Sequence, residues 1–261
     1  MIYVSHLTKK FGGLAAVDDI SFSVGRGDIF AFLGPNGAGK TTTIKMLTTL
    51  LHPSEGTIRV NGADPVLEQD AVRRAFGIVF QDPSLDDELT AYENMEFHGV
   101  LYGVPKEIRR ARIEEMLKFV ELWDRRGDFA KHFSGGMKRR LEIARGLLHH
   151  PKILFLDEPT LGLDPQTRNH IWSYIRNLNR SEGITVFFTT HYMEEADRVA
   201  NRVAIIDHGK IVAQGNPQEL KAVKNAATLE DAFLAYTGKD IRSDSASGAD
   251  ILRAHRKMWR R

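Results

Sequence analysis

Nine residues, Gly34-Pro35-Asn36-Gly37-Ala38-Gly39-Lys40-Thr41-Thr42, constrain this chain more than any other stretch. They follow the apolar run from Ile29 to Leu33 and lead into Thr42–Leu47, which reads as a helix. Strand, glycine loop and helix at the spacing G-x-x-x-x-G-K-[ST] make a phosphate-binding P-loop. The glycines permit a tight turn whose N–H groups converge on an anion. The helix start adds unsatisfied N–H groups and the positive end of its dipole. Lys40 then reaches the β- and γ-phosphates of a nucleotide, and the Thr41 hydroxyl reaches Mg²⁺. With Gly near ~7% of residues, a chance glycine turn meets the pattern in roughly one chain in a hundred.

At 261 residues the chain suits one large α/β domain, or a core with an insertion. Lys and Arg total 36 against 34 Asp and Glu, so no field of nucleic-acid scale is implied. The absence of Cys excludes disulfides and Cys-based zinc or iron–sulfur sites. Met1 to Leu7 lacks the basic-then-apolar plan of a signal peptide. No apolar run approaches the ~20 residues that span a bilayer. The expectation is a soluble, cytoplasmic chain that meets any membrane through a partner.

Residues 2–8 and 20–24 read as half-buried strands, and Asn61-Gly62 after the strand Thr57–Val60 reads as a hairpin signal. Phe11 lies between the first two strands; residue type alone favours a core ring over one that stacks on a nucleotide base. Phe76–Phe80 is a short apolar strand with Gln81 at its end, where α/β sheets place ligand contacts. From about Thr90 to His149 the pattern turns helical. Ile108, Ile113, Met116, Leu117 and Val120 recur near a 3.6 period. Ser134 is a good N-cap for the helix that follows it. Gly135 and Gly136 in its first turn weaken that helix, so something must approach the backbone closely, and a second anion site is the natural guess.

The run Ile153–Leu156 ends in Asp157-Glu158-Pro159. An apolar strand ending in two carboxylates, in a chain with a P-loop, is the Walker B arrangement: Asp157 for Mg²⁺, Glu158 to polarise the attacking water. Asp164-Pro165 starts the helix running to Asn179, and Asp164 serves at least as its N-cap. His191 ends the strand Ile184–Thr190, where surface and ligand-edge readings are evenly balanced. Two strands (Arg202–Ile206, Lys210–Gln214) and two short helices (217–237) follow. A linker-like stretch, 242–248, leads to a basic end, 252–261, read as a solvated terminus rather than a lipid or partner contact.

Together these motifs resemble the ATP-binding subunit of ABC transporters over about residues 1–237. The match comprises Gly34–Thr41 (Walker A), Gln81 (Q-loop), Phe133-Ser134-Gly135-Gly136-Met137 (signature), Asp157-Glu158, Leu163-Asp164 (D-loop) and His191 (switch His), in the family's order. The resemblance implies a P-loop NTPase, RecA-like α/β core with an N-terminal antiparallel β subdomain and a helical subdomain, about 84–149, inserted in it. Residues 238–261 are left as polar linker and basic tail. It reassigns Phe11 to adenine stacking. It implies ATP contacts from Gly34 to Thr42 and from Ser134, Gly135, Gly136 and Asp164, with Thr41, Gln81 and Asp157 around Mg²⁺. Glu158, Gln81 and His191 would serve hydrolysis. It further implies a head-to-tail homodimer burying two ATP, and a separate integral-membrane subunit. The chain would then sit peripherally on the inner face of the cell membrane. Phe133 and Met137 stand where the family usually has Leu and Gln. That form, with the ending Thr228–Gly238, is similar to the ATPases of daunorubicin-resistance-type exporters of drugs, lipids or polysaccharides.

The alternative is a soluble ABC-type ATPase acting on ribosomes or DNA. Such members usually carry two cassettes in one chain or a long coiled coil between the Walker motifs. Neither appears here, and the charge is near neutral.

Overall fold

The structure, a computed structural model, describes residues 1–238. The linker-like 242–248 and the basic 252–261 lie outside the described residues. Two sheets organise the chain. The smaller is antiparallel, in the order β2 (Leu14–Val24), β1 (Ile2–Phe11), β4 (Glu55–Val60). Its first two strands run longer than the alternation predicts. His6 and Asp19 both adopt φ 51°, joined side chain to side chain at 2.8 Å, and the β1–β2 register shifts three times beside them. Such bulges break the period-2 pattern by which strands are read. Asn61 and Gly62 do form a tight turn, with Val60 and Ala63 exchanging backbone hydrogen bonds. No second strand follows, because the chain leaves for α2 (Gln69–Ala75).

The larger sheet has the order β5 (Phe76–Val79), β6 (Ile153–Asp157), β7 (Thr185–Thr190), β3 (Ile29–Leu33), β8 (Arg202–Asp207), β9 (Lys210–Gly215). The first five are parallel, and β9 pairs antiparallel with β8. β3, β6 and β7 are buried at every residue, which is why they read as unbroken apolar runs. Alternate residues of β3 serve opposite faces. Phe30 and Phe32 meet Phe22 and Phe187 at 5.4–5.7 Å between centroids, fastening the small sheet to the large one. Each such aromatic contact adds about 0.5–1.5 kcal/mol beyond burial. Ile29, Ala31 and Leu33 belong to the other core, with Trp172 and the helices.

Between β5 and β6 the described residues hold α3 (Ala91–Leu101), α4 (Lys106–Phe119), two single 3₁₀ turns and α5 (Gly135–Leu147), with no strand. α4 buries Ile113, Met116 and Leu117, but Ile108, counted on the same apolar stripe, is 55% exposed. α5 lies directly on β5, so closely that a Cβ on Gly77 would collide with the Gly146 carbonyl. α1 (Lys40–Leu47) follows β3, α6 (Pro165–Glu182) follows β6, and α7 (Met193–Val199) follows β7. α8 (Pro217–Val223) and α9 (Leu229–Thr237) close the described chain.

Candidate functional site

Register brings the motifs together. β6, β7 and β3 are parallel neighbours, with Asp157 opposite Thr189 and Leu33 opposite Thr190. Glu158, His191 and Gly34 therefore leave the sheet side by side, at the strand ends where α/β folds bind ligands.

The loop from Gly34 to Gly39 is a left-handed cradle, with Gly37 at φ 77° and Gly39 at φ 107°. No side chain caps α1 at Gly39, so its first-turn N–H groups are left for an anion. Lys40 turns back on the loop. It is buried, and its Nζ donates to the carbonyls of Gly34 (2.8 Å) and Pro35 (3.2 Å) and lies 3.0 Å from Glu158 Oε1. The cradle's own cation is thus held by loop carbonyls and a carboxylate.

Glu158 is 7% exposed and holds an unusual backbone, φ 47°. Its N–H donates to Thr189 Oγ1 (3.0 Å), and its Oε2 is 3.1 Å from His191 Nδ1. An ionised carboxylate only accepts, so Nδ1 carries the proton. Burial alone would raise the Glu158 pKa; the His191 hydrogen bond and the Lys40 charge outweigh it and hold the carboxyl below its ordinary value. It is ionised at neutral pH.

Asp157 is 1% exposed, accepts a 2.5 Å hydrogen bond from Thr189 Oγ1, and has no ion-pair partner among the described residues. A buried carboxylate with no ion pair suits a cation. With the Thr41 hydroxyl and the Gln81 amide it would supply the hard oxygen donors that Mg²⁺ prefers. Gln81 is exposed just beyond β5. Phe11 is 45% exposed at the end of β1, so it is not a core ring and leaves a face for a base.

Ser134 caps α5, accepting from Met137 N–H at 3.3 Å. Gly135 and Gly136 belong with the start of α6. A Cβ on Gly136 would come within 2.6 Å of Thr167 Cγ2, so close packing inside the chain already requires that glycine. Gly135 has only Leu163 at 3.7 Å and is the one left open for a ligand. Asp164 caps α6, taking both the N–H and the hydroxyl of Thr167. Among the described residues, no hydrogen bond or ion pair joins Ser134–Gly136 to the P-loop. Phe133 is buried in the core and Met137 packs against it, so both departures from the usual signature are packing residues.

Sequence reasoning missed Thr189, which holds Asp157 and Glu158 together, and the buried trio Arg139, Glu142 and Glu195. Glu195 accepts from Thr160 (2.7 Å) and Thr190 (3.4 Å), joining the segments that follow Glu158 and precede His191. Only the Thr-Thr before His191 hinted at any of this.

The sequence and the fold are shared with known proteins. Residues 17–161 match the ABC transporter family. The chain is 46% identical to the daunorubicin/doxorubicin resistance ATP-binding protein DrrA of Streptomyces peucetius, over 85% of this chain and 67% of that one. It is 42% identical to the Nod factor export ATP-binding protein I of Ralstonia nicotianae, over 84% and 68%. A dimeric ATP-binding cassette in a post-hydrolysis state, bound to ADP and Pi, superposes with a TM-score of 0.74 at 30% identity, covering 83% of this chain and 98% of that one.

Proposed function

This chain belongs to the ABC transporter family of ATP-binding subunits, and from there we propose how its residues divide the work of ATP hydrolysis. It is an ATPase that dimerises and drives export through a separate membrane component. No helix of the described residues is long and apolar enough to cross a membrane. We place it on the inner face of the cell membrane.

The Gly34–Thr42 cradle takes the phosphates of ATP, and Phe11 stacks on the adenine. The arriving phosphates give Lys40 the anion it now finds in Glu158, and so release Glu158. Thr41, Asp157 and Gln81 would hold Mg²⁺, which supplies charge neutralisation on the β- and γ-phosphates when bound. Ser134, Gly135, Gly136 and Asp164 face the γ-phosphate of the partner subunit's ATP. Glu158 accepts a hydrogen bond from water and aligns its oxygen with the γ-phosphorus. That O–P bond forms as the bond to the β–γ bridging oxygen breaks, leaving ADP and phosphate. His191 orients Glu158 through its Nδ1–H.

The membrane subunit docks where α3 presents Phe97, Val100 and Leu101, all more than half exposed on one face, beside Ile108 of α4. The drug-resistance and Nod factor export roles named for the relatives support a drug-like or Nod-factor-like molecule as the cargo. The observation that carries the proposal is the meeting of Lys40, Glu158 and His191 within 3.0–3.1 Å. The test is ATP turnover by wild type beside Glu158→Gln, with mass by light scattering. Wild type should hydrolyse Mg·ATP, while the variant is inactive yet dimeric in ATP. A fully active Glu158→Gln protein would remove Glu158 from its assigned role.

A further inference from the structure

Arg139 sits in the second turn of α5, inside the charged run Lys138-Arg139-Arg140, yet it is only 7% exposed. A guanidinium has five N–H donors, and here each has its own acceptor. Nε donates to Pro159 O (2.7 Å). Nη1 donates to Phe80 O (2.5 Å) and Glu142 Oε2 (3.2 Å). Nη2 donates to Glu158 O (3.1 Å) and Asp157 O (3.4 Å). Four of the five are main-chain carbonyls at the ends of two different strands.

Glu142, one turn further along α5, completes the arrangement. Its Oε2 meets Arg139, and its Oε1 accepts from the N–H of Ser84 at 2.7 Å. Arg145, one turn further again, donates to Ser84 O at 2.7 Å and also meets its hydroxyl. The segment carrying Gln81 is thus pinned at both ends, at Phe80 and at Ser84, to one face of α5. The same guanidinium pins Asp157, Glu158 and Pro159. Glu158 is left-handed there, a conformation that persists only where the surroundings over-determine it. Its N–H is held by Thr189 and its carbonyl by Arg139.

A buried guanidinium with one carboxylate is a weak way to gain stability, since well-packed apolar side chains usually do as well. A planar fork with five fixed donors is, by contrast, well suited to fixing several backbone segments at once. We propose that Arg139, held by Glu142, is a positioning residue for hydrolysis: it fixes the strained backbone of Glu158 and the Gln81 segment to the helix that begins at Ser134, so that the three move as one unit. The proposal rests on the role assigned to Glu158 above. It implies that a change sensed at Gln81 reaches the water-orienting carboxylate and the signature helix through one side chain, with the P-loop uninvolved.

The test uses the full chain with Arg139→Met, Arg139→Lys and Glu142→Gln, read by ATPase kinetics and by amide hydrogen exchange. For Arg139→Met, kcat should fall about 30-fold or more, while KM for ATP stays within about 3-fold, because Lys40 and its loop are untouched. Exchange should accelerate in residues 80–85 and 157–162 together, and stay unchanged in 34–42. Arg139→Lys keeps the charge but not the fork, and should recover only part of kcat. Glu142→Gln should lose about 3- to 10-fold, again in kcat alone. Wild-type kcat in Arg139→Met, a loss carried by KM, or exchange rising in only one segment overturns the proposal. Should Arg139→Met not fold, the other two variants decide on the same readouts. A Glu158→Gln protein with full activity removes the reading beneath the proposal, and the exchange experiment still shows whether the two segments are coupled.

Discussion

Lys40 and Glu158 neutralise one another, so removing the Glu158 charge should tighten nucleotide binding before any hydrolysis occurs. Their polar atoms are 3.0 Å apart and both side chains are buried. At an effective dielectric of about 20, that separation corresponds to about 5.5 kcal/mol of gross attraction. Desolvation cancels much of it, and a hydrogen bond to a charged group is worth about 1.5–3 kcal/mol net. Glu158→Gln keeps the shape and the acceptor but discards that charge term. The β-phosphate of ADP then supplies the missing anion, and affinity for ADP should rise about 10- to 100-fold. The assay is calorimetric titration of monomeric protein with Mg·ADP, a ligand the enzyme cannot hydrolyse, so trapping by slow turnover plays no part. His191→Ala, which leaves the Lys40–Glu158 pair in place, should bind ADP within about 3-fold of wild type. If Glu158→Gln binds ADP no more tightly than wild type, the pair does not compete with nucleotide and the reasoning fails.

Gly77→Ala should cost about 2 kcal/mol or more, about 4–8 °C in melting temperature, because its Cβ meets the Gly146 backbone and α5 must move; Gly127→Ala, in open space, should leave the melt unchanged. Two half-buried histidines should steepen acid denaturation. Burial, then the charges of Arg145 and His149, holds His98 at about 3. His149 sits at about 4, lowered by burial against its bond to Phe76 O. Their folded pKa values lie below the ordinary 6.5, so stability is intact above about 6.5 and is lost as pH falls, by up to about 2.7 kcal/mol per pH unit for the pair. In melts between pH 7.5 and 4.5, His98→Phe should roughly halve that slope. Phe97→Asp should leave ATP turnover by the isolated chain unchanged and abolish co-purification with the membrane subunit.

The parts of this fold legible in the sequence are those where the local pattern and the tertiary environment agree. β3, β6 and β7 lie inside a parallel sheet, so each carries a continuous apolar stretch, and the residues that follow fall at the ligand edge by topology. β1 and β2 were half hidden because bulges at His6 and Asp19 disrupt the alternation. Ile108 fits the helical period yet faces outward, since periodicity finds a stripe and not the stripe's limits. The Gly136 pattern was visible, but its packing partner Thr167 arrives from a later helix. Arg139 was invisible for a plainer reason. Lys138 and Arg140 beside it reach the outlying carboxylates of Asp87 and Glu121, and nothing in three consecutive cations tells which one turns inward.

The left-handed backbone of Glu158 sets fold stability and chemistry against each other at one position. A side chain in that conformation costs about 1–2 kcal/mol relative to the right-handed region, a penalty glycine escapes. Glu158→Gly alone would leave Lys40 buried without its carboxylate, a loss of about 3–5 kcal/mol that outweighs the relieved strain, so a screen that rewards only heat resistance gains here only by replacing both residues. In laboratory evolution of this protein, turnover has to be selected alongside stability, since a thermal gain here removes both members of the pair.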